Sequence, residues 1–164
     1  MCTVGGIRIK VIKTNVTANP QRLNEMIRKL REQGYKITPQ RLAILEVLSV
    51  SEGHPTIENV YEKVRTTFPT TSPATVYKNI AILKDLGEVL ELGFGDDRNR
   101  YDGNKPYPHP HIVCKKCKKI IDPDIEELKD ISEVLARETG FQIINHRLDF
   151  IGICPDCQKK QSAA

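Results

Sequence analysis

The chain has 164 residues, 25 Lys+Arg against 21 Asp+Glu, and a formal net charge of +4 at pH 7. No apolar run approaches the roughly 18 residues of a membrane span, and no secretory signal opens the chain, so we expect a cytoplasmic protein that does not bind membranes and whose paired cysteines hold metal. The charge is uneven, with a net +5 over residues 1–90 (13 Lys+Arg, 8 Asp+Glu) and a net −1 over 91–164 (12 and 13), which favours two small domains.

Residues 1–18 are predicted to be an N-terminal extension, a short strand or a disordered basic arm, because apolar and basic residues alternate there. Four helices are predicted next, each beginning at a capping residue and carrying apolar residues at the helical period. The four caps and their inward-facing residues are Asn19 with Leu23, Met26, Ile27 and Leu30; Thr38 with Ile44, Leu45, Val47 and Leu48; Thr56 with Ile57, Val60, Tyr61 and Val64; and Ser72 with Val76, Ile80 and Leu83.

Two strands follow the fourth helix, over residues 89–94 and 98–101, around a predicted turn at 95–97. Helices followed by a β-hairpin are the outline of a winged helix-turn-helix, here over residues 19–102, with the fourth helix as the recognition helix. A plain three-helix core without a DNA-binding role is the alternative, and periodicity alone does not decide between them.

Residues 103–110 contain three prolines and no apolar pattern, so they are predicted to be a hinge. Residues 111–160 are predicted to form a second domain with strands at 112–114 and 119–122, a helix over 125–139, and a long strand over 141–153. In that helix Leu128, Ile131 and Leu135 are expected to face inward. The predicted fold class is therefore α+β, with a small second domain of the kind that a structural metal commonly stabilises.

Two Cys-x-x-Cys pairs, Cys114 with Cys117 and Cys154 with Cys157, are separated by 36 residues. Each pair can place two thiolates about 2.3 Å from a tetrahedral zinc ion, and two pairs complete its shell. The sequence therefore predicts a structural Zn²⁺ site without an open position for catalysis. Two unrelated reduced pairs are the alternative, and Cys2 lies outside both pairs.

His109 and His111 lie two residues apart just before the first cysteine pair. In an extended segment such side chains point the same way and can bind one ion. His54, Asp102 and Asp122 are candidates to complete a nitrogen and oxygen site, which suits iron(II), manganese(II) or zinc. A solvated loop is the alternative, because spacing does not show that these five residues meet.

The sequence resembles the ferric uptake regulator family, in the family's order and over residues 20–160. The resemblance lies in residues 35–41 (YKITPQR), 72–79 (SPATVYKN), 100–102 (RYD), 109–117 (HPHIVCKKC) and 154–157 (CPDC). It implies a homodimeric, metal-dependent transcriptional repressor. The N-terminal winged helix would read DNA, the C-terminal α/β domain would dimerise, and a second metal site at the hinge would sense.

Within the family, the resemblance is greatest to the peroxide-sensing branch. It implies that His54, Asp102, His109, His111 and Asp122 hold a regulatory Fe²⁺ or Mn²⁺, and that His54 or His109 is oxidised when iron(II) meets peroxide. Iron-sensing relatives tend to have glutamate at the two aspartate positions and extra ligands where Pro108 and Pro110 stand. His146 matches one further ligand of that extra site, which is incomplete here, so His146 is interpreted as a histidine on the sheet surface. The alternative function is an iron- or zinc-uptake regulator of the same fold.

The expected DNA target is a double-stranded operator with an inverted repeat, bound by a homodimer. The recognition helix would present Thr75, Tyr77, Lys78 and Asn79 to the major groove, with Tyr77 contacting bases. The phosphate contacts are expected from Tyr35, Gln40 and Arg41.

Two other classes of protein fit less well. A zinc deaminase needs His-x-Glu and an open metal position, and the sequence shows neither that motif nor a nucleophile beside a base, so it does not indicate an enzyme. A zinc-ribbon interaction module would explain the cysteines and leave the first domain without a role.

Overall fold

The computed structural model describes residues 19–162 except 52, 94–97 and 129, so the predicted extension at 1–18 and the predicted turn at 95–97 lie outside the described residues. The chain divides into two units, whose described parts lie within 19–107 and 108–162. The first unit contains α1 (Pro20–Glu32), α2 (Pro39–Ser49), α3 (Ile57–Thr67), α4 (Pro73–Asp85), β1 (Leu90–Leu92) and β2 (Arg100–Asp102).

The four helices of the first unit begin where side chains satisfy the free backbone N–H groups of a first turn. The side-chain oxygens of Asn19, Thr38 and Ser72 each accept a hydrogen bond from the backbone N–H three residues later, at 3.1–3.2 Å. Proline occupies the first helical position after each of these caps. Thr56 and Asn59 form a reciprocal capping box at the start of α3. The predicted helix starts are therefore confirmed.

One apolar cluster joins the four helices to the hairpin that follows them. β1 and β2 are antiparallel, with Leu90 opposite Asp102 and Leu92 opposite Arg100. The cluster consists of Met26, Leu30, Ile44, Leu45, Leu48, Ile57, Val60, Val64, Val76, Ile80, Leu83, Val89 and Tyr101. This arrangement confirms the winged-helix prediction, although β1 is shorter than the predicted strand at 89–94.

The second unit is built on a small mixed sheet. Its elements are β3 (His111–Cys114), β4 (Ile120–Ile121), a 3₁₀ helix (Glu126–Leu128), α5 (Ile131–Thr139), β5 (Asp149–Gly152) and α6 (Pro155–Ser162). The strand order is β4-β3-β5, with β3 antiparallel to β4 and parallel to β5. The register places His111 opposite Asp149 and Cys114 opposite Gly152, so β5 runs beside β3 toward the first cysteine pair.

Two predictions for the second unit were wrong in extent. The helix expected over 125–139 is α5, which begins at Ile131 after a separate 3₁₀ turn. The strand expected over 141–153 is limited to Asp149–Gly152, because only these residues pair with β3. α6 follows the last cysteine pair and was not predicted. Leu135, expected to face inward, is 49% exposed, whereas Leu128 and Ile131 are half-buried.

The second unit has little apolar core. Among its described residues only Val113, Cys114 and Ile120 are buried apolar side chains, whereas the first unit buries fourteen. Its large exposed apolar side chains are Ile121, Val134, Leu135, Phe141, Ile143, Ile144, Phe150, Ile151 and Ile153. A unit of this kind needs support other than apolar burial within one chain. None of the described helices is long and apolar enough to cross a membrane.

Candidate metal centres and DNA-binding surface

The four predicted zinc ligands converge in the second unit. The four sulfur atoms all lie within 4.8 Å of one another; they belong to Cys114, Cys117, Cys154 and Cys157. The sulfurs of Cys117 and Cys154 are 3.6 Å apart. Tetrahedral zinc with bonds of about 2.3 Å separates its sulfur ligands by about 3.8 Å. The cluster therefore has the spacing of a four-sulfur zinc site, and its sulfurs fit that ion.

Backbone hydrogen bonds form this cluster. The Cys114 N–H donates to the Lys119 carbonyl at 2.8 Å and the Lys118 N–H donates back to the Cys114 carbonyl at 2.9 Å, which closes the first turn. The second pair is joined to the first because the Cys154 N–H donates to the Cys114 sulfur at 3.3 Å. The left-handed backbone of Lys118, with φ 61°, completes the turn.

The environment of the sulfurs favours thiolate formation at one position and opposes it at another. Backbone N–H groups of Cys117 and Cys154 lower the pKa of Cys114 to about 6. The pKa of Cys157 is raised to about 12, first because its thiol donates a hydrogen bond to Cys154 and then because burial opposes its charge. The raised pKa of Cys157 keeps its thiol protonated without a cation, so metal binding is expected to release that proton.

His54 and Asp102 form a buried pair in the first unit. His54 Nε2 lies 3.3 Å from Asp102 Oδ2, and both side chains are at most 2% exposed. The loop that carries His54 is attached to β2, since the Tyr101 N–H donates to the Pro55 carbonyl at 3.0 Å and Arg100 donates to the His54 carbonyl at 3.3 Å. His54 has a left-handed backbone, with φ 49°. Such a conformation costs about 1–3 kcal/mol and persists only where its surroundings impose it, often at functional sites.

A turn of backbone N–H groups orients the Asp102 carboxylate. Asp102 Oδ1 accepts hydrogen bonds from the N–H groups of Asn104 and Lys105, both at 2.9 Å. An Asx turn of this type directs one oxygen toward its own chain. The other oxygen, Oδ2, is the one near His54.

His109, His111 and Asp122 come together in the second unit. The rings of the two histidines are tilted by 50° with centroids 4.3 Å apart. Asp122 Oδ2 lies 3.4 Å from His109 Nε2, and its Oδ1 lies 3.9 Å from His111 Nε2. His111 is buried at the start of β3, and Asp122 directly follows β4, so the β3–β4 pairing brings them together. Each unit thus presents part of the predicted nitrogen and oxygen donor set.

Asp149 is a neighbour of the predicted donor His111 that sequence reasoning missed. Its Oδ1 lies 3.4 Å from His111 Nδ1, and its Oδ2 accepts a hydrogen bond from Arg147. A carboxylate beside one ring nitrogen leaves the opposite nitrogen of the histidine to bind a metal. No local spacing could indicate this contact, because it depends on the register between β3 and β5.

His146 is not part of either donor group. Its Nδ1 lies 2.8 Å from Ser132 Oγ, near the start of α5. The predicted strand around it did not form, so His146 is held by a helix residue and does not lie on the sheet.

The predicted recognition helix α4 exposes part of the expected DNA-binding surface. Tyr77 is 52% exposed, Lys78 is exposed and Thr75 is half-buried. An aromatic side chain this exposed on a polar helix face is not part of the core. Tyr77 and Lys78 therefore lie on a solvent-exposed face of α4, and Thr75 is partly exposed beside them.

Asn79, predicted as a DNA contact on this helix, does not present its side chain to solvent. It is buried, its Oδ1 accepts from Arg41 Nε at 2.6 Å, and its Nδ2 donates to the Thr75 carbonyl at 2.7 Å. Arg41 in turn lies over the Tyr35 ring, with 5.4 Å from its guanidinium carbon to the ring centroid. Asn79 therefore orients Arg41, while Gln40 is half-buried at the start of α2.

Known proteins resemble this chain in sequence and in architecture. The sequence model described as the ferric uptake regulator family matches residues 32–151. The peroxide-responsive repressor PerR of Staphylococcus aureus (strain USA300) is 41% identical over 138 residues, covering 84% of this chain and 93% of that protein.

Solved structures show the same fold. The Helicobacter pylori ferric uptake regulator, described as having three functional metal binding sites, superposes with a TM-score of 0.73 at 23% identity, covering 88% of this chain and 97% of that one. The Vibrio cholerae ferric uptake regulator superposes with a TM-score of 0.64 at 28% identity, covering 77% and 98%.

Proposed function

Because this chain belongs to the ferric uptake regulator family, we propose that it is a cytoplasmic, metal-dependent transcriptional repressor that responds to peroxide. Its proposed cofactors are a structural zinc ion at the four cysteines and a regulatory Fe²⁺ or Mn²⁺. Its proposed target is a double-stranded operator with an inverted repeat. The proposed ligands of the regulatory ion are His54, Asp102, His109, His111 and Asp122.

The composition of the regulatory donor set carries this proposal. It offers imidazole nitrogens and aspartate oxygens without a thiolate, and such donors suit iron(II) and manganese(II). His54, Asp102 and His111 are buried, and a buried carboxylate beside imidazoles is favourable when it shares a cation. The residues therefore fit the proposed ion.

Peroxide sensing would depend on the histidines of that set. Iron(II) bound there supplies one-electron chemistry with hydrogen peroxide, and manganese(II) resists this reaction. His54 and His109 each have a ring nitrogen within 3.4 Å of an aspartate oxygen, so both imidazoles lie among the proposed donors. Adding oxygen to either ring would weaken that ligand, release the ion and lower the affinity for DNA.

Mass spectrometry after peroxide treatment tests this proposal. We expect the iron(II) form to gain one oxygen on the peptide containing His54 or the peptide containing His109. The manganese(II) form, treated identically, is the matched control and should remain unmodified. Oxidation confined to the cysteines would contradict the proposed mechanism.

A second copy of the chain is the proposed partner of the second unit. Nine large apolar side chains of this unit are exposed, from Ile121 to Ile153. Apolar side chains exposed in this number on a small unit favour an interface, and a homodimer would cover them on both copies with the same residues. The homodimer would also provide two recognition helices, one for each half of an inverted repeat.

Tyr77 is proposed to contact bases from the exposed face of α4. Tyr77→Ala is expected to weaken operator binding about tenfold or more, since one base contact contributes roughly 1–3 kcal/mol. The matched control is Tyr107→Ala, because Tyr107 is an equally exposed tyrosine (57%) outside the helices. Fluorescence anisotropy with manganese(II) measures both variants, and equal affinities would exclude a role for Tyr77.

Response to metal level alone is the competing function, because ferric uptake regulators share this fold. It is distinguished by reporter expression under two treatments. Derepression by peroxide at constant iron supports peroxide sensing, whereas derepression by metal depletion only would assign the chain to metal-level regulation.

A further inference from the structure

Arg22, in the first turn of α1, has a buried guanidinium that contacts two distant parts of the first unit. Its Nη1 lies 2.6 Å from Glu88 Oε2, and its Nη2 donates to the Glu88 carbonyl at 2.8 Å. Its Nε donates to the Gly103 carbonyl at 2.7 Å. Arg22 and Glu88 are both under 10% exposed. Three directional hydrogen bonds from one planar group fix the position of both partners.

The Gly103 carbonyl lies at the turn that orients Asp102. Asp102 Oδ1 accepts from the N–H groups of residues 104 and 105, so the position of this backbone determines where the carboxylate lies. Next to this bond, Asn19 Nδ2 donates to Asn104 Oδ1 at 3.2 Å. The start of α1 therefore binds the loop after Asp102 at two consecutive residues, Gly103 and Asn104.

Gly103 is also enclosed by α2. A Cβ atom at this position would lie 2.8 Å from Leu48 Cβ and 3.1 Å from the Leu48 carbonyl oxygen, closer than side chains tolerate. The backbone at 103 can therefore approach α2 only because the residue is glycine. α1, α2 and the Asx turn thus restrain the chain directly after Asp102.

The Arg22–Glu88 ion pair is not explained by stability alone. Buried ion pairs can often be replaced by apolar residues of similar volume without loss of stability. The bond from Nε to the Gly103 carbonyl has no equivalent in such a replacement. We propose that Arg22 is a positioning residue for Asp102, which holds the turn at 102–105 so that Asp102 Oδ2 stays beside His54. This inference rests on the proposed function, in which Asp102 and His54 bind the regulatory ion.

This role links α1 of the DNA-binding unit to the affinity for the ion. If Arg22 only positions a ligand, its loss should weaken manganese(II) binding and leave the operator affinity at saturating manganese(II) unchanged. A general loss of structure would instead lower operator affinity at every metal concentration. The two effects are separated by measuring operator binding across a manganese(II) titration.

The test uses the full-length double variant Arg22→Met/Glu88→Leu, which replaces the ion pair by apolar side chains. We expect retained zinc content, a thermal midpoint close to that of the parent chain, and a manganese(II) Kd raised about tenfold, the lower end of the effect of losing a group bonded directly to a metal ligand. The matched control is Arg28→Met/Glu32→Leu, which removes an exposed ion pair from the same helix. Its manganese(II) Kd should not change.

A second variant keeps the test decisive if the double variant does not fold. Arg22→Lys retains a charge beside Glu88 and loses the planar donor to Gly103, so it should also raise the manganese(II) Kd. An unchanged Kd in a folded variant would overturn the inference. Failure of the parent chain to bind manganese(II), or binding that is insensitive to substitution of His54, would instead overturn the proposed function.

Discussion

Substituting Cys154 by serine is expected to release the structural zinc ion and unfold the second unit while the first unit stays folded. The sulfur of Cys154 lies 3.6 Å from that of Cys117, and its backbone N–H holds the Cys114 sulfur. Removing the Cys154 sulfur leaves three of the four sulfur ligands. Structural zinc contributes about 10–16 kcal/mol of binding free energy that is coupled to folding.

The separate response of the two units follows from their cores. Only Val113, Cys114 and Ile120 are buried apolar residues in the described part of the second unit, so little remains when the ion is lost. The first unit has its own cluster around Ile44, Leu45 and Ile80. We therefore expect the backbone NMR signals of the first unit to persist while those of residues 108–162 lose dispersion.

Metal analysis and circular dichroism check this result, with Cys2→Ser as the control. Cys2 lies outside both Cys-x-x-Cys pairs, so its substitution should leave zinc content unchanged. Treating the parent chain with a strong chelator should reproduce the Cys154→Ser spectrum. Full zinc content in folded Cys154→Ser would show that the four cysteines do not hold the ion together.

Replacing His54 by asparagine is expected to abolish manganese-dependent operator binding, with a loss of manganese(II) affinity of more than about 100-fold. Outer-shell changes alone typically cost 10- to 100-fold, and His54 is a proposed direct ligand. Asparagine is chosen because it tolerates the left-handed backbone at this position, where φ is 49°. Alanine would add backbone strain to the loss of the ligand.

His109→Ala is a second variant for the same ligand set, since His109 lies beside Asp122 in the other unit. The control is His146→Ala, because His146 bonds to Ser132 and is remote in sequence from the proposed ligands. Isothermal titration with manganese(II) and anisotropy with operator DNA measure all three variants. Unchanged manganese(II) affinity in His54→Asn and His109→Ala, with zinc retained, would refute the shared regulatory site.

Much of this protein could be predicted from local sequence signals. The caps at Asn19, Thr38, Thr56 and Ser72 marked the helix starts, because capping depends on residues within one turn. Both Cys-x-x-Cys pairs were recognised because their spacing alone places two sulfurs on one ion. The predictions failed for the strand over 141–153 and for the inward-facing Leu135, since strand length depends on a partner strand and helix orientation depends on neighbouring elements.

Residue type and spacing by themselves predicted the α+β fold class, the four-cysteine cluster and the kind of donor available for a second ion. Only the tertiary structure decided how those donors are oriented. Asp149 reaches His111 through strand register, and Arg22 reaches Gly103 across 81 positions of sequence. The buried side chain of Asn79 likewise bonds to Arg41, on a different helix. A ligand's chemistry belongs to its side chain, whereas its direction is set by hydrogen bonds from distant segments, which local sequence patterns do not reveal.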